Sequence, residues 1–303
     1  RCKRSSSYGI LPRLCLITLV LAHASGLDAQ GIEDYDRIRA GKRAEAVRID
    51  EPIVLDGRLD ELAWQRAKPA VEFYQQAPRE GQLATLPTEV RFLYDDAMLY
   101  VGAMLYDDEP DKLVVDDLSR DFLGRNSDSF TLVLDLFGDG KNGYNFTTNA
   151  GCAQRDTQIY DNGGRDPNWN GVWFCSVEIL ENGWSLELAI PFKALRFPSR
   201  EEQEWGLQMS RVIRRLNERG LWSPVARPYT FNRVSDAGVL TGIRAPSSGT
   251  NLRVKPYAKG EIDRGFTEGD EWSGDGGVDV KWGITSSLLL DGTYRTDFSQ
   301  VEA

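Results

Sequence analysis

Short segments that alternate apolar and polar residues, separated by turn residues, recur through most of this chain. Segments 88–94 and 98–106 alternate around a turn at 95–97, and segment 128–137 continues the pattern. A period of two places one set of side chains on each face of a β-strand, whereas an amphipathic helix needs a period near 3.6. The chain is therefore predicted to be built from β-strands.

The clearest turn lies between the alternating segments 172–180 and 184–190, which flank Glu181-Asn182-Gly183. Asn-Gly between such runs favours a hairpin, because a type I′ turn needs positive φ at both central residues. Further strands are predicted at 144–150, 153–160 and 204–216, and short helices at 61–68 and 192–195. Many strands without a βαβ rhythm indicate an all-β fold, an antiparallel β-sandwich over residues 47–245.

The N-terminus has the pattern of an export signal. Basic residues precede an apolar run at 14–22, and small-residue cleavage sites follow at 22–24 and 27–29. This predicts a signal peptide at 1–29. The alternative is a membrane anchor, although the run is about half of the roughly 20 residues that a spanning helix needs. Residues 30–46 are charged and poor in large apolar side chains, so a flexible linker is predicted there.

Cleavage at either site would remove His23, the one histidine of the sequence. A mature chain without histidine has no Ser-His-Asp or Cys-His nucleophile system and no His-ligated zinc. Cys152 and Cys175 would remain, either as a disulfide in an oxidising compartment or as two separate buried thiols. The excess of 46 acidic over 36 basic residues argues against a nucleic-acid partner.

After a small-residue linker at 245–250 the strands change character. Segments within 252–295 place apolar residues on one face and strongly polar residues on the other. A transmembrane β-barrel has this pattern, and so does a soluble antiparallel sheet with one solvated face. A short turn is expected at Thr285-Ser286 and a long connection at 263–275.

The two ends of the sequence suggest that it is incomplete. It begins at Arg1 rather than at a methionine and stops inside a patterned segment. Three strands cannot close a barrel, which needs at least eight or so. We therefore expect a fragment in which residues 251–303 are the truncated start of an outer-membrane β-barrel.

Trp169 and Trp173 follow a loop rich in Asn, Gly, Asp and Pro at 161–168. An exposed indole can cover the apolar face of a sugar ring while neighbouring polar groups bind its hydroxyls, whereas core packing is the alternative, above all for Trp173. Acidic residues are abundant, but no pair of them is identifiable as the acid and base of glycoside cleavage. We therefore predict no catalytic residue and no cofactor, and leave bound calcium on Asp and Asn turns open.

Several segments, in their order and spacing, resemble a family 9 carbohydrate-binding module. They are 56–64 (DGRLDELAW), 88–96 (TEVRFLYDD) with 99–102 (LYVG), 128–130 (DSF) and 183–192 (GWSLELAIPF). The resemblance covers about residues 47–243 and implies a β-sandwich. Residues 252–303 resemble the start of an uncharacterised outer-membrane barrel domain that follows such modules in Gram-negative proteins.

In sugar-binding members of that family, aromatic side chains clamp the ligand beside Arg, Asn and acidic partners. The positions that fit this pattern are Trp169, Trp173, Arg120, Asp128 and Asn145. The resemblance thus implies a non-catalytic, exported module that binds a polysaccharide or oligosaccharide, in the periplasm or outer membrane of a Gram-negative bacterium. The alternatives are a glycoside hydrolase using Asp or Glu, in line with the enzymes that such modules accompany, and a ligand-free structural domain of the barrel.

Overall fold

The structure, a computed structural model, describes residues 35–244, 251–264, 270–283 and 289–294. The predicted signal peptide, the linker at 245–250 and the turn at Thr285-Ser286 lie outside the described residues. The strands are β1 Arg43–Arg48, β2 Tyr74–Ala77, β3 Thr88–Tyr94, β4 Met98–Tyr106, β5 Ser129–Asp135, β6 Gly143–Asn149, β7 Gln154–Tyr160, β8 Gly164–Asp166, β9 Phe174–Leu180, β10 Gly183–Pro191, β11 Gln203–Ile213, β12 Glu218–Leu221, β13 Gly238–Ile243, β14 Asn251–Arg264, β15 Asp270–Gly283 and β16 Leu289–Tyr294.

Helical structure is short wherever the chain is described. Residues 35–40 are helical, and an α-helix spans Leu62–Arg66, within the predicted helix at 61–68. The predicted helix at 192–195 is a 3-10 turn. Such turns span Pro110–Lys112, Phe192–Ala194, Arg214–Leu216 and Val234–Asp236. No helix in the described segments is long and apolar enough to cross a membrane.

Strands β1–β13 form two sheets that share β1. The first sheet has the order β8-β7-β6-β5-β11-β13-β1, with β12 and β2 added beside β11, and the second has the order β1-β3-β4-β10-β9. The first half of β1 pairs in parallel with β13 through Arg43↔Val239, and its second half pairs in parallel with β3 through Ala46↔Phe92. The remaining pairings are antiparallel. The predicted all-β sandwich is confirmed.

The structure corrects the prediction of a flexible linker at 30–46. Within that range, residues 35–40 are helical and β1 begins at Arg43. Ala44 and Ala46 are buried in the core, whereas Arg43 and Glu45 are exposed. The prediction failed because small alanines supply the buried face, so the segment lacks the large apolar residues that mark a strand.

The predicted hairpin at 172–190 is present, but its turn differs from the expected one. Leu180 pairs with Gly183, so Glu181 and Asn182 form the two-residue loop and the positive φ, 141°, falls on Gly183. A Cβ atom on Gly183 would lie 2.2 Å from the carbonyl oxygen of Leu105. Glycine is needed here because the backbone of β10 starts against the end of β4.

The apolar faces of the two sheets enclose the main core. Phe130, Leu132 and Leu134 of β5 point into it, and Trp184 and Trp205 are fully buried there. A second, smaller cluster lies under the helix Leu62–Arg66, on the outer face of the second sheet. It contains Ile49, Ala63, Trp64, Ala67 and Leu93.

The carboxylate of Glu187 joins two segments that are far apart in the sequence. It accepts hydrogen bonds from the N–H groups of Gly57 at 2.8 Å and Asp56 at 3.0 Å, and from Nε1 of Trp64 at 3.2 Å. Gly102 makes room for this arrangement, because a Cβ atom there would lie 2.8 Å from the Trp64 ring. The loop 56–64 is thus fixed onto β10.

Strands β14, β15 and β16 form a separate antiparallel sheet. Asp263 pairs with Glu271, and Arg264 with Asp270, so strand pairing extends into the range 263–275 that was predicted as a loop. Glycine and acidic residues suggested a connection there. In the structure residues 263–264 and 270–275 occupy paired positions, because two long neighbouring strands can extend their backbone hydrogen bonds through residues of low strand preference.

Glu187 is expected to make stability depend on pH. Burial raises the pKa of Glu187 to about 7, although the N–H groups of Gly57 and Asp56 oppose the shift. Between the ordinary value of 4.5 and about 7, the folded state holds a proton that the unfolded chain has lost. The contribution of Glu187 to the free energy of unfolding is therefore largest below pH 4.5 and is lost as pH rises through about 7.

In the variant Glu187→Gln the side chain at position 187 cannot titrate. Comparing the urea unfolding of this variant with that of the natural chain therefore isolates the contribution of Glu187. The difference in free energy of unfolding, natural chain minus variant, should be greater at pH 4.5 than at pH 7.5. Exposed Glu45, replaced by Gln, is the control and should give similar differences at both values. Equal differences for Glu187→Gln at the two values would contradict this account.

Candidate functional site

The first sheet has a polar, buried outer face opposite the core. Ser129 and Thr131 of β5, Asn145 and Thr147 of β6, and Thr157 of β7 are all at most 6% exposed. In β5 and β6 these residues alternate with apolar residues that fill the core, and Thr157 pairs with Asn145 across the strands, so all five point to the opposite side of the sheet. A face that ordinarily meets solvent is here a covered layer of hydroxyl and amide groups.

Cross-strand register aligns this layer. Thr131 lies opposite Thr147, and their hydroxyl oxygens are 2.9 Å apart. Thr147 donates to Oδ1 of Asn145 at 2.9 Å, and Nδ2 of Asn145 donates to Oδ1 of Asn232 at 2.8 Å. Asn145 in turn lies opposite Thr157. The polar groups are therefore held in fixed positions before any ligand arrives.

An open pocket of about 320 Å³ lies over this layer, and we call it the polar pocket. Its floor is formed by Ser129, Thr131, Asn145, Thr147 and Thr157. Its walls include Phe231 and four arginines, Arg125, Arg155, Arg165 and Arg219. The guanidinium carbon of Arg219 lies 4.6 Å from the centre of the Phe231 ring. The residues that line the pocket include no aspartate or glutamate.

Three buried polar atoms on or beside this face have no hydrogen-bond partner within the described residues. They are Oγ1 of Thr157, Oγ of Ser210 and Nδ2 of Asn232. Buried polar atoms are usually hydrogen-bonded, so an unpaired one needs an explanation. Of these three residues, Thr157 lines the polar pocket itself.

The predicted site residues fall into three places: beside Asp156, in the polar pocket and, for Asp128, just before β5. Arg120 and Trp173 contact the carboxylate of Asp156, and Trp169 and Trp173 both pack against Phe146; we call these residues the tryptophan cluster. Asn145 lies in the polar pocket. The side chains of Tyr144 and Phe146 contact Trp169 on the core side, with ring centres 4.7 Å and 5.9 Å away. Asn145, between them in the sequence, points the other way, so no single site holds all five predicted residues.

Trp173 is a core residue, which was the alternative to sugar stacking. It is 3% exposed and packs against Phe146 with ring centres 5.6 Å apart. Trp169 is half-buried, and a Cβ atom on Gly171 would lie 2.6 Å from its ring. Both tryptophans thus pack against the protein and hold the loop before β9 in place.

Arg120 fixes the same loop through charge. Its guanidinium lies 2.6 Å from the buried carboxylate of Asp156, and its Nε donates to Oδ1 of Asn170 at 3.0 Å. The N–H of Gly171 also donates to Asp156. Burial raises the pKa of Asp156, while the Gly171 hydrogen bond and the charge of Arg120 oppose the rise. This arrangement explains Arg120 as a structural partner of Asp156.

Asp128 lies just before β5, and its buried carboxylate is hydrogen-bonded to backbone N–H groups. It accepts hydrogen bonds from the N–H groups of Val114 at 2.7 Å and Arg214 at 3.2 Å. Burial raises the pKa of its carboxyl group, and these hydrogen bonds partly offset the rise. Asp128 does not line the polar pocket.

A disulfide joins Cys152 and Cys175, with their Cα atoms 6.0 Å apart. Cys152 follows β6 of the first sheet and Cys175 belongs to β9 of the second, so the bond links the two sheets.

Asp135 accepts hydrogen bonds from the N–H groups of Gly138 and Gly140, both at 2.8 Å. In the described part of the chain, no three His, Cys, Asp or Glu residues are grouped so that they could hold a metal ion.

The sequence reasoning missed most of the polar pocket. The residues it did not single out include Arg155, Arg165, Arg219, Thr157 and Asn232. One signal was available, since three successive strands carry polar pairs two residues apart on the face opposite the core. These pairs are Ser129 with Thr131, Asn145 with Thr147, and Arg155 with Thr157.

The fold and the pocket define a β-sandwich binding module. Residues 55–214, just over half of the chain, match the family model described as carbohydrate family 9 binding domain-like, and the chain belongs to this family. Residues 248–303 match a model described as a domain of unknown function (DUF5916). No protein in the curated collection matches the chain.

Solved structures share the fold. A family 9 carbohydrate-binding module from Caldicellulosiruptor kristjanssonii in complex with cellotriose is 17% identical, with a TM-score of 0.50, over 68% of this chain and 95% of that chain. A protein of Bacteroides uniformis ATCC 8492 proposed to bind carbohydrate is 12% identical, with a TM-score of 0.52, over 67% of this chain and 99% of its own. At these identities the likeness shows the fold.

Removing Arg120 should destabilise the protein, because Asp156 would keep a buried charge without its cation. Arg120→Met should lower the free energy of unfolding by roughly 1–3 kcal/mol. Arg125→Met is the matched control, since Arg125 is exposed and forms no ion pair with any described residue, and should change stability by less than about 0.5 kcal/mol. Urea unfolding at pH 7 measures both. Equal effects would rule out the structural role of Arg120.

Proposed function

We propose that this chain is a carbohydrate-binding module and that it binds an oligosaccharide or polysaccharide in the polar pocket. The observation that carries the proposal is the buried layer of hydroxyl and amide groups under an open pocket of about 320 Å³. Ligand sites combine a concave shape with a few fixed polar groups that orient the ligand. The floor of the polar pocket supplies such groups, already held in register by the strands.

Membership of the family 9 binding-domain-like family supports a carbohydrate as the ligand class. The C. kristjanssonii module, which shares the fold, holds cellotriose. The pocket adds a second feature that suits sugars. Arg219 lies over the ring of Phe231 on one wall, and the N–H groups of its guanidinium can donate hydrogen bonds to sugar hydroxyl groups.

The pocket suits this role better than the tryptophan cluster does. Trp169 already contacts Tyr144, Phe146 and the backbone at Gly171, so its ring packs against the protein itself. The hydroxyl of Thr157, by contrast, has no hydrogen-bond partner among the described residues, and Thr157 lines the polar pocket. Binding a ligand hydroxyl there would satisfy a donor and an acceptor that the folded protein leaves unused.

Thr157→Val tests the pocket with little disturbance, because valine has nearly the same shape and the lost hydroxyl has no partner in the described part of the chain. A glycan array identifies the ligands of the natural chain, and calorimetry then compares the variants. The affinity should fall about two- to tenfold in Thr157→Val, since one hydrogen bond is lost. Trp169→Phe keeps the aromatic packing and should bind like the natural chain.

Two results would contradict the proposal. One is that no glycan on the array binds the natural chain. The other is that Trp169→Phe loses binding while Thr157→Val keeps it, which would move the site to the tryptophan cluster. Thermal unfolding of both variants checks that a change in affinity does not come from a change in stability.

We further propose that residues 1–29 direct export and that residues 251–303 begin an outer-membrane β-barrel, so that the module captures polysaccharide at the cell surface for uptake or breakdown. The sheet β14–β16 supports this. Val254, Trp282, Leu290 and Tyr294 are exposed, and register places Trp282 opposite Leu290 on one face. Apolar side chains on one face of long strands are what a lipid-facing barrel wall presents.

The barrel proposal predicts how the full-length protein fractionates. It should sediment with the outer membrane, resist carbonate and dissolve in detergent. Leu290→Lys places a charge on the apolar face and should reduce membrane retention, whereas Thr293→Lys on the polar face should not, because a lysine facing lipid at the bilayer centre costs about 2–4 kcal/mol. Recovery of the natural protein in the soluble periplasmic fraction would contradict the barrel.

A further inference from the structure

Four arginines line the polar pocket, although the net charge of the chain is −10. Strand register sets three of them in place. Arg155 of β7 lies opposite Thr147, Arg165 of β8 lies opposite Ile159, and Arg219 of β12 lies opposite Val212. Arg125 reaches the pocket from the loop before β5. The fold therefore gathers side chains that are up to 94 positions apart in the sequence, from Arg125 to Arg219.

These arginines are not neutralised by the protein. Among the described residues, none of the four has a carboxylate within 4.0 Å. Nη1 of Arg155 donates to the carbonyl oxygen of Phe122 at 3.4 Å, and Arg219 lies over the ring of Phe231. Several arginines elsewhere in the described segments form ion pairs. Arg215, for example, contacts the carboxylates of Asp107, Asp108 and Glu109.

The arginines also repel one another. Burial, and then the positive charge of Arg165, lower the pKa of Arg155, although Asp121 acts in the opposite direction. The same two causes lower the pKa of Arg219. Like charges brought together in this way are stabilised by an anion that binds between them. The side chains stay charged at neutral pH, since arginine keeps its proton in proteins.

The floor of the pocket adds an independent observation. The hydroxyl of Thr157 is buried, lines the pocket and has no partner among the described residues. A carboxylate or sulfate oxygen accepts hydrogen bonds from hydroxyl and guanidinium groups alike, and bonds to a charged acceptor are the stronger ones. Arginines at the wall and an unused hydroxyl at the floor are therefore complementary to a negatively charged group on the ligand.

We propose that the polar pocket selects an acidic sugar, one that carries a uronic-acid carboxylate or a sulfate ester. The inference rests on the proposed function, because it names the class of carbohydrate for the same site. The carboxylate or sulfate lies among Arg155, Arg165 and Thr157, while the neutral part of the ring lies toward Phe231. The overall negative charge of the chain would repel such ligands, so the arginines supply the local attraction that selects them.

The test uses oligosaccharides in matched forms. Galacturonate, glucuronate and mannuronate oligomers are compared with their carboxyl-reduced, neutral counterparts, and sulfated oligosaccharides with their desulfated forms. Calorimetry at 50 mM salt should show at least one charged form binding about tenfold or more tighter than its neutral partner. The advantage should shrink at 500 mM salt, because salt screens the attraction.

Variants locate the effect. Arg155→Gln and Arg165→Gln should each lose about tenfold in affinity for the charged oligomer and little for the neutral one. Arg43→Gln, an exposed arginine on β1 outside the pocket, should bind the charged oligomer like the natural chain. If Arg43→Gln lost as much affinity as Arg155→Gln, general charge rather than the pocket would be responsible, and the proposal would be overturned.

The outcomes separate this proposal from the one on which it rests. Preference for a uronate or for a sulfate ester supports it and assigns the charged group. Equal affinity for charged and neutral forms overturns it while leaving carbohydrate binding intact. Absence of binding by every oligosaccharide, charged or neutral, counts against the proposed function as well.

Discussion

The packing of apolar side chains between the two sheets sets the orientation of everything on the first sheet. Phe130, Leu132 and Leu134 of β5 and Phe146 of β6 point into the core. Side chains alternate along a strand, so a slip of one residue would move this whole set to the other face. The same contacts that bury the core therefore place Asn145 in the polar pocket.

The outer face of a sandwich sheet commonly meets water, but here it is covered. The pocket wall brings Gly124 close to the sheet, since a Cβ atom there would lie 3.1 Å from a methyl group of Thr147. Covering polar groups without pairing them is unfavourable. Hydrogen bonds along Thr131, Thr147, Asn145 and Asn232 offset part of this cost and leave Thr157 for a ligand.

Arginine has two distinct uses in this structure. Buried Arg211 and neighbouring Arg215 lie beside Asp107, and burial lowers the pKa of Arg211 to about 10 while Asp107 opposes the shift. Arg120 and Asp156 similarly hold the loop before β9. These pairs stabilise the fold. The arginines of the polar pocket face a cavity without a carboxylate in its lining, which marks that charge as available to a ligand.

Local sequence predicted local structure well. Strands β3 and β4 have the expected bounds, and the hairpin of β9 and β10 is present. Two of the segments that carried the family resemblance, 56–64 and 183–192, meet through Glu187. β1 escaped prediction because alanine supplies its buried face. The structure places Asn145 away from Trp169 and Trp173, because Asn145 and its neighbour Phe146, which contacts both tryptophans, point to opposite sides of the sheet.

The sequence by itself determined the strand periodicity, the turns and hence the all-β class, because each depends on residues within a few positions of one another. It also indicated the family, because short segments of the sequence resemble that family in a fixed order. Only the tertiary structure decided which polar face is covered and which arginines share a pocket. Those properties depend on strand order, on the joining of two sheets by β1 and on loops that come from distant parts of the chain, and a period of two contains none of this information.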